Sequence, residues 1–344
     1  MKILAIESSC DETSAAVLEQ TPQEILVHSS VTATSLDIHA GTGGIIPENA
    51  ARMQVTYIMP VIIQSLQNAF KKGAKDTLIN EIDAIAVTYG PGLIGSLLVG
   101  VETAKTLAYS FNKPIIPVNH LLGHLYANFI NNKELEFPFI GLIVSGGHTD
   151  LLYFKSHKEY TWLGGTRDDA TGEAFDKIGR AMGLSYPAGP EIEKRAQQSP
   201  SHNTKFKSPL INEDNYDFSF SGLKTEAIRY YENLKKNKAS LIDEDISDIC
   251  YATQKAIIDV LVKKTLKASE QYKCSTILVG GGVSANQTFI RTLTDQASDN
   301  NIKVFSPPLK YCTDNAAMVG SYALMNYEPI EWQNINANPE LYFG

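Results

Sequence analysis

The chain has no apolar run approaching the roughly 18 residues that a membrane span needs, so no membrane role is expected. Its four cysteines, Cys10, Cys250, Cys274 and Cys312, are scattered and form no CxxC pair. A disulfide framework and a structural zinc are therefore not expected, and a reducing, cytoplasmic setting is. Basic excess is absent too: 30 Lys and Arg stand against 38 Asp and Glu, a net charge of -8. Any nucleic acid would have to be attracted by a local patch or a basic partner. Lysines do cluster at Lys71, Lys72 and Lys75, at Lys194, Arg195, Lys205 and Lys207, and at Lys235, Lys236 and Lys238. No G-x-x-x-x-G-K-[ST] occurs, which excludes a P-loop protein. The opening "MKILAIESSCDE" has one lysine and a short apolar stretch stopped by Glu7, which reads as a buried strand rather than a signal-peptide core.

What is present is a repeated pattern. "MKILAIESSCDETSAAVLEQ" reads as strand, polar turn, strand, and "FPFIGLIVSGGHTDLLYF" repeats it, with Ser8 aligned to Ser145 and Thr13 to Thr149. A third strand and turn, "STILVGGGVSANQTFI", leads into a helix. Helical spacing of apolar residues marks "PENAARMQVTYIMPVIIQSLQNAF" and "LIGSLLVGVETAKTLAYSF", while "ILVHSSVTAT", "IDAIAVTYGPG" and "KPIIPV" read as strands. Duplicated strand-turn-strand units with following helices predict two α/β lobes around a central cleft. The expected division is residues 1–118 and 119–319, with 320–344 returning to the first lobe. A polar stretch near 191–217 is expected to be an insertion.

Chemistry concentrates in a few places. "VNHLLGHLYANF" sets His120 and His124 at i and i+4, on one helix face, with Asn119 as a plausible cap. The zinc-protease motif H-E-x-x-H needs a general-base glutamate after the first histidine, and Leu121 stands there instead. By spacing alone the pair is as well explained by two satisfied helix histidines as by a metal. Asp314 in "CTDNAAM" is a third ligand or a helix cap. The turns "ESSCDET", "VSGGHT" and "VGGGVSAN" expose backbone N–H groups suited to a phosphate-bearing ligand. In "GEAFDKIGR" Glu173 and Asp176 share a helix face, with Asp176 partly buried. "DFSFSGLKT" alternates aromatic and small polar residues and lines something.

Together "IESSCDET", "GPGLIGSLLVG", "NHLLGH", "VSGGHT", "GEAFDKIGR", "DFSFSGLKT", "GGGVSAN" and "CTDNAAM" resemble the ordered signature of the bacterial tRNA threonylcarbamoyladenosine transferases, formerly named O-sialoglycoprotein endopeptidases. The resemblance runs from Glu7 to about Met318. It implies the actin/sugar-kinase/heat-shock-chaperone ATPase fold. It also implies transfer of a threonylcarbamoyl group from threonylcarbamoyl-adenylate to N6 of the adenosine 3′ of the anticodon, in tRNAs reading codons that begin with A. On this resemblance His120, His124 and Asp314 bind one divalent metal, iron before zinc. Ile143, Val144, Ser145, Gly146, Gly147, Asp176, Gly189 and Asn286 contact substrate, and an adenine nucleotide (the adenylate or ATP) occupies the cleft. A paralogous subunit and a small P-loop ATPase are the implied partners beside tRNA. His148 is a candidate general base. Two positions depart from the family pattern: Ala188, where Pro-Gly-Gly is common, and Gln54, where a histidine often stands. A zinc endopeptidase and a non-catalytic ATP-binding module are the rival functions.

Overall fold

A computed structural model of the chain describes all residues except 36–44, 131, 133–134, 200–201, 239–240 and 344. The chain forms two compact units, Met1–Leu135 with Pro307–Gly344, and Glu136–Ser306. The division differs from the expected one, because residues 119–135 and 307–319 belong to the first unit. The reason is local. Strand Ile115–Asn119 runs without a loop into the histidine helix His120–Tyr126. That helix packs on the late helix Ala316–Met325. Gly123 lies against Met318, where even a Cβ would make only an ordinary 3.5 Å contact with Cγ, and Ser321 Oγ donates to the Tyr126 carbonyl at 2.6 Å.

The first unit is built on β1 (Lys2–Glu7), β2 (Glu12–Gln20), β3 (Ile25–Thr34), β4 (Ala84–Gly90) and β5 (Ile115–Asn119), in the order β3-β2-β1-β4-β5. β1 runs antiparallel to β2 and parallel to β4, and β4 parallel to β5. β1 and β4 are continuous apolar runs because helices cover both sheet faces. Helices Pro47–Phe70 and Ile94–Phe111 pack on the sheet and on each other, around Leu4, Ile6, Val17, Ile62, Leu66 and Val87.

The second unit repeats the plan with β6 (Phe139–Val144), β7 (Thr149–Phe154), β8 (Tyr160–Gly165), β9 (Thr276–Gly280) and β10 (Lys303–Phe305), ordered β10-β9-β6-β7-β8. β6 pairs antiparallel with β7 and parallel with β9, as β1 does with β2 and β4. The pairing register refines the expected alignment. Glu7 faces Ser14 across its hairpin and Val144 faces Thr149, so the counterpart of Thr149 is Ser14 and not Thr13. Among the described residues the stretch 191–217 begins inside helix Gly189–Ala196 and then runs irregularly to Tyr216. All four cysteines are free, and no helix among the described residues is long and apolar enough to cross a membrane.

Candidate active site

His120, His124 and Asp314 come together in the first unit, with one ligand-type atom from each lying within 4.8 Å of the others. Asn119 ends β5 and caps the histidine helix. Its Oδ1 accepts from the backbone N–H of Leu121 at 2.9 Å and of Leu122 at 3.4 Å. The helix therefore starts at His120, and both imidazoles face one side a turn apart. Asp314 is not a cap. Asn315 takes that role for helix Ala316–Met325, accepting from Met318 N at 3.0 Å, which leaves the Asp314 carboxylate for the histidines. Its Oδ1 lies 3.2 Å from His124 Nε2 and 3.6 Å from His120 Nε2.

Glu7 completes the cluster, and sequence reasoning assigned it no role. It is fully buried at the end of β1. Its Oε1 accepts from Ser9 N at 2.6 Å, and its Oε2 accepts from Thr88 Oγ1 at 2.5 Å and lies 3.1 Å from His120 Nδ1. Ser9 Oγ is also 3.1 Å from His120 Nδ1. A carboxylate at Nδ1 keeps the proton there and turns the Nε2 lone pair toward Asp314 and His124, the arrangement that orients metal-bound histidines. The signal available in the sequence was a charged residue closing a fully apolar strand. Such a residue must find partners on folding.

Burial opposes an imidazolium at His120, but the Glu7 and Asp314 carboxylates outweigh it and raise its pKa to about 9. Glu7 is held below the usual carboxylate range: burial pushes it up, and His120 more than compensates. Glu12 is pushed up to about 10 by burial and then by Asp314 and Asp11. Several carboxylates thus crowd one buried spot, and a cation offsets such a crowd. His124 is the sharper observation. Its ring is buried, and neither Nδ1 nor Nε2 makes a hydrogen bond. Buried polar atoms are ordinarily satisfied, and a metal at Nε2 would satisfy this one. Two imidazoles and one carboxylate leave coordination positions for a substrate's oxygens and suit iron or zinc.

The turn above is cemented by neighbours. Ser8 Oγ donates to the Ser96 carbonyl at 3.0 Å and Ser96 Oγ to the Cys10 carbonyl at 2.9 Å. Gly100 allows that helix to close in, since a Cβ there would lie 2.2 Å from Ser8 Oγ. Ser96 and Gly100 of "LIGSLLVG" are explained by this contact, while Gly95 lies against Ala51 of the neighbouring helix.

In the second unit the predicted substrate residues sort into two kinds. Ile143 and Val144 are buried in β6, so only their backbone is available to a ligand. Ser145 N donates to the His148 carbonyl at 2.9 Å and His148 N to Ser145 Oγ at 3.1 Å, closing a tight turn around Gly146 and Gly147. Both glycines are exposed, and a Cβ on either would meet nothing within 4 Å. Helix Thr171–Ala181 starts against this turn, with Gly172 N donating to the Ser145 carbonyl at 3.0 Å. The parallel partner β9 ends beside it, and Gly281, at φ +96°, would place a Cβ 2.4 Å from the Val144 carbonyl oxygen. Glycine alone fits there. The two glycine turns thus converge at the carboxyl ends of adjacent parallel strands, where open α/β sheets bind ligands.

Asp176, half-buried, accepts from Ala188 N at 2.7 Å and is raised by burial despite that bond. It thereby fixes the turn that leads into Gly189, the first residue of its helix, around which a Cβ would find open space. Asn286 caps helix Gln287–Ser298 through Phe289 N at 2.8 Å and donates to Gln254 Oε1 at 2.8 Å.

Residues 26–321 match the tRNA N6-adenosine threonylcarbamoyltransferase family. A tRNA N6-adenosine threonylcarbamoyltransferase of Clostridium botulinum (strain 657 / Type Ba4) is 45% identical over 350 residues, covering 100% of this chain and 98% of its own. That of Moorella thermoacetica is 43% identical over 343 residues, covering 98% and 96%. The chain belongs to the tRNA N6-adenosine threonylcarbamoyltransferase family. It is a transferase of the class that modifies tRNA. Among solved structures, full-length HypF in a phosphate- and nucleotide-bound form superposes with a TM-score of 0.59 at 14% identity, covering 94% of this chain and 55% of HypF. Component A of the Acidaminococcus fermentans (R)-2-hydroxyglutaryl-CoA dehydratase gives 0.52 at 12% identity, covering 97% and 99%. These likenesses are of fold, the actin/sugar-kinase/heat-shock-chaperone type.

The two departures from the threonylcarbamoyltransferase pattern have structural explanations. Ala188 sits at φ -87°, an ordinary backbone region that requires no glycine. Gln54 is buried, so it cannot form a partner contact. Its Nε2 faces the carbonyls of Ser8, Cys10 and Glu12 at 3.2, 2.9 and 3.1 Å and ties down the turn after β1.

Proposed function

We propose that this chain transfers the threonylcarbamoyl group of threonylcarbamoyl-adenylate to N6 of the adenosine 3′ of the anticodon, in tRNAs reading codons that begin with A. The observation that carries the metal-assisted form of this reading is the orphaned His124 ring facing Asp314, beside a His120 whose other nitrogen is held by Glu7. His120, His124 and Asp314 would hold one divalent ion, iron on the family resemblance and zinc as the alternative. When bound, the ion supplies Lewis acidity and a template for the donor's oxygens.

The remaining steps fall to the chain's own groups. Backbone N–H groups around Gly146 and Gly147, at the N-terminus of helix Thr171–Ala181, bind anionic oxygens of the adenylate and the charge that develops during attack. Asp176 and the Ala188–Gly189 turn it fixes hold the threonyl part. N6 attacks the carbamoyl carbon, the bond from that carbon to the phosphate oxygen breaks, and AMP leaves. His148, on the turn itself, is the candidate acceptor for the N6 proton. Leu121 is fully buried, so the position where a zinc protease places its water-activating glutamate offers neither carboxylate nor access. That disfavours the endopeptidase and suits a donor that must not be hydrolysed.

The partners are a paralogous subunit and a small P-loop ATPase, and the setting is cytoplasmic. Support for a protein partner lies on the first unit's two packed helices. Val55, Met59 and Ile63 on one, and Ile94 and Leu98 on the other, are exposed apolar side chains. A patch of that kind marks an interaction surface.

The test is reconstitution with labelled threonine, a donor synthase, the partners and tRNA. Wild type should label tRNA and His120→Ala should not, with both folded by circular dichroism. Equal labelling by His120→Ala would remove the metal from the mechanism. No labelling by wild type would remove the reaction.

A further inference from the structure

The acidic chain must still hold tRNA, and the structure sorts its cations. Several cations of the second unit are neutralised: Lys224 by Asp169 at 2.5 Å, Arg195 by Glu191 at 2.8 Å, Lys238 by Asp245 at 2.6 Å, Lys267 by Asp214 at 2.5 Å, and Lys255 by Asp259 at 2.9 Å. Lys205, Lys207, Arg229, Lys235 and Lys236 form no ion pair among the described residues. They come from two segments separated in sequence, the irregular stretch before Leu210 and helix Ser221–Asn237.

These segments meet in the second unit and enclose an open hollow of about 620 Å³. Lys205 and Arg229 stand on its wall with the rings of Phe206 and Tyr230, and Glu226 is the one acid among the lining residues. The rings are edge-to-face, 5.6 Å between centroids, and Tyr230 Oη lies 3.2 Å from Thr204 Oγ1. The floor is the start of the helix, where Gly222 leaves open space. Arg229, Asn233 and Lys236 follow at i, i+4 and i+7, so the helix face that lines the hollow carries a further cation beyond it.

We propose that this hollow is an RNA subsite that takes an unpaired nucleotide of the tRNA substrate, with a base on the Tyr230 and Phe206 rings and backbone phosphates on Lys205 and Arg229. Cations interleaved with aromatic faces are the chemistry by which single-stranded RNA is held. The target adenosine lies in a loop, where bases are available for stacking. The subsite is also tied to the proposed donor turn. Asp168 accepts from Phe220 N at 2.7 Å, Ser221 N at 3.2 Å and Ser219 Oγ at 2.6 Å, fixing the helix start. Three residues later begins the helix whose Gly172 bonds Ser145. The inference rests on the transfer reading for the identity of the RNA.

The test measures tRNA binding by the full chain between 50 and 200 mM salt, apart from transfer. Lys205→Glu/Arg229→Glu should weaken binding at least about tenfold and flatten the slope of log K against log salt by about 1.4, roughly 0.7 for each lost contact to a single strand. Tyr230→Ala should weaken binding about tenfold with the slope unchanged, and Tyr230→Phe should restore it. Lys71→Glu/Lys75→Glu makes the same charge change in the first unit and should alter neither. All replaced side chains are exposed, so folding is retained. Wild-type-like binding by both hollow variants overturns the inference, as does equal weakening by the Lys71/Lys75 control or no binding by wild type. If wild type transfers while the hollow variants bind normally, the subsite fails and the transferase reading stands. If wild type binds through the hollow but never transfers, the reverse holds.

Discussion

The two units share a hairpin plan and use it in opposite ways. The turn after β1 is buried, with Ser8, Ser9 and Asp11 almost wholly covered. It is held by Gln54 and Ser96, and Glu7, the last residue of β1 before it, faces His120. The turn after β6 is exposed at Gly146 and Gly147 and offers mostly backbone. A duplicated skeleton thus carries a buried turn held by side chains on one copy and bare N–H groups on the other. Rigid burial suits coordination chemistry, and an open glycine turn suits an anionic substrate that must enter and leave.

This contrast can be broken by substitution. The largest effect is expected from Asp314→Ala. Metal content of the purified protein, measured by elemental analysis, should fall to background and transfer should stop, while circular dichroism stays native. Full metal retention would show that the imidazoles suffice. Next, Glu7→Gln keeps the shape but removes the charge at His120 Nδ1. Metal affinity should drop about 10–100-fold, read by competition with a chelating dye. Unchanged affinity would reduce Glu7 to a packing role.

A paired test addresses the open turn. Gly281→Ala forces a side chain onto the Val144 carbonyl at a positive φ and should cost about 1–3 kcal/mol of stability. Gly146→Ala meets nothing and should stay within about 0.5 kcal/mol, yet raise the KM for the adenylate. Equal melting shifts for the two would contradict the contrast.

The smallest effect concerns pH. Burial raises Asp169, but Lys177 and Lys224 outweigh it and hold the carboxyl below its usual 3.8. A lowered folded pKa contributes stability above the unfolded value, and the contribution is lost as pH falls through the folded one. The stability gap between wild type and Asp169→Asn should therefore be open at neutral pH and close below about pH 3.8. A gap that widens in acid would reverse the assignment.

Much of this was legible in the sequence, because periodicity and caps are local. Asn119 announced the helix that aligns His120 and His124, and the strand-turn repeats announced two α/β units. Glu7 was not legible as a histidine partner, since its position depends on Thr88 from a strand some eighty residues away. The unit boundary was missed because it depends on a tertiary contact, Gly123 against Met318. Asp314 was open to two readings, ligand or cap, because the neighbouring Asn315 that takes the cap is an equally good cap by sequence. The hollow near Arg229 needed two segments separated in sequence, although "DFSFSGLKT" had marked its floor.

The loop-free passage from β5 into the histidine helix has a thermodynamic consequence. His120, His124 and Asp314 all belong to the first unit, so an ion held by them would be linked to the unfolding of that unit. At a hundredfold excess over its dissociation constant it adds about 2.7 kcal/mol. Chelation should therefore lower the melting temperature of the first unit, and calorimetry with and without a chelator checks it.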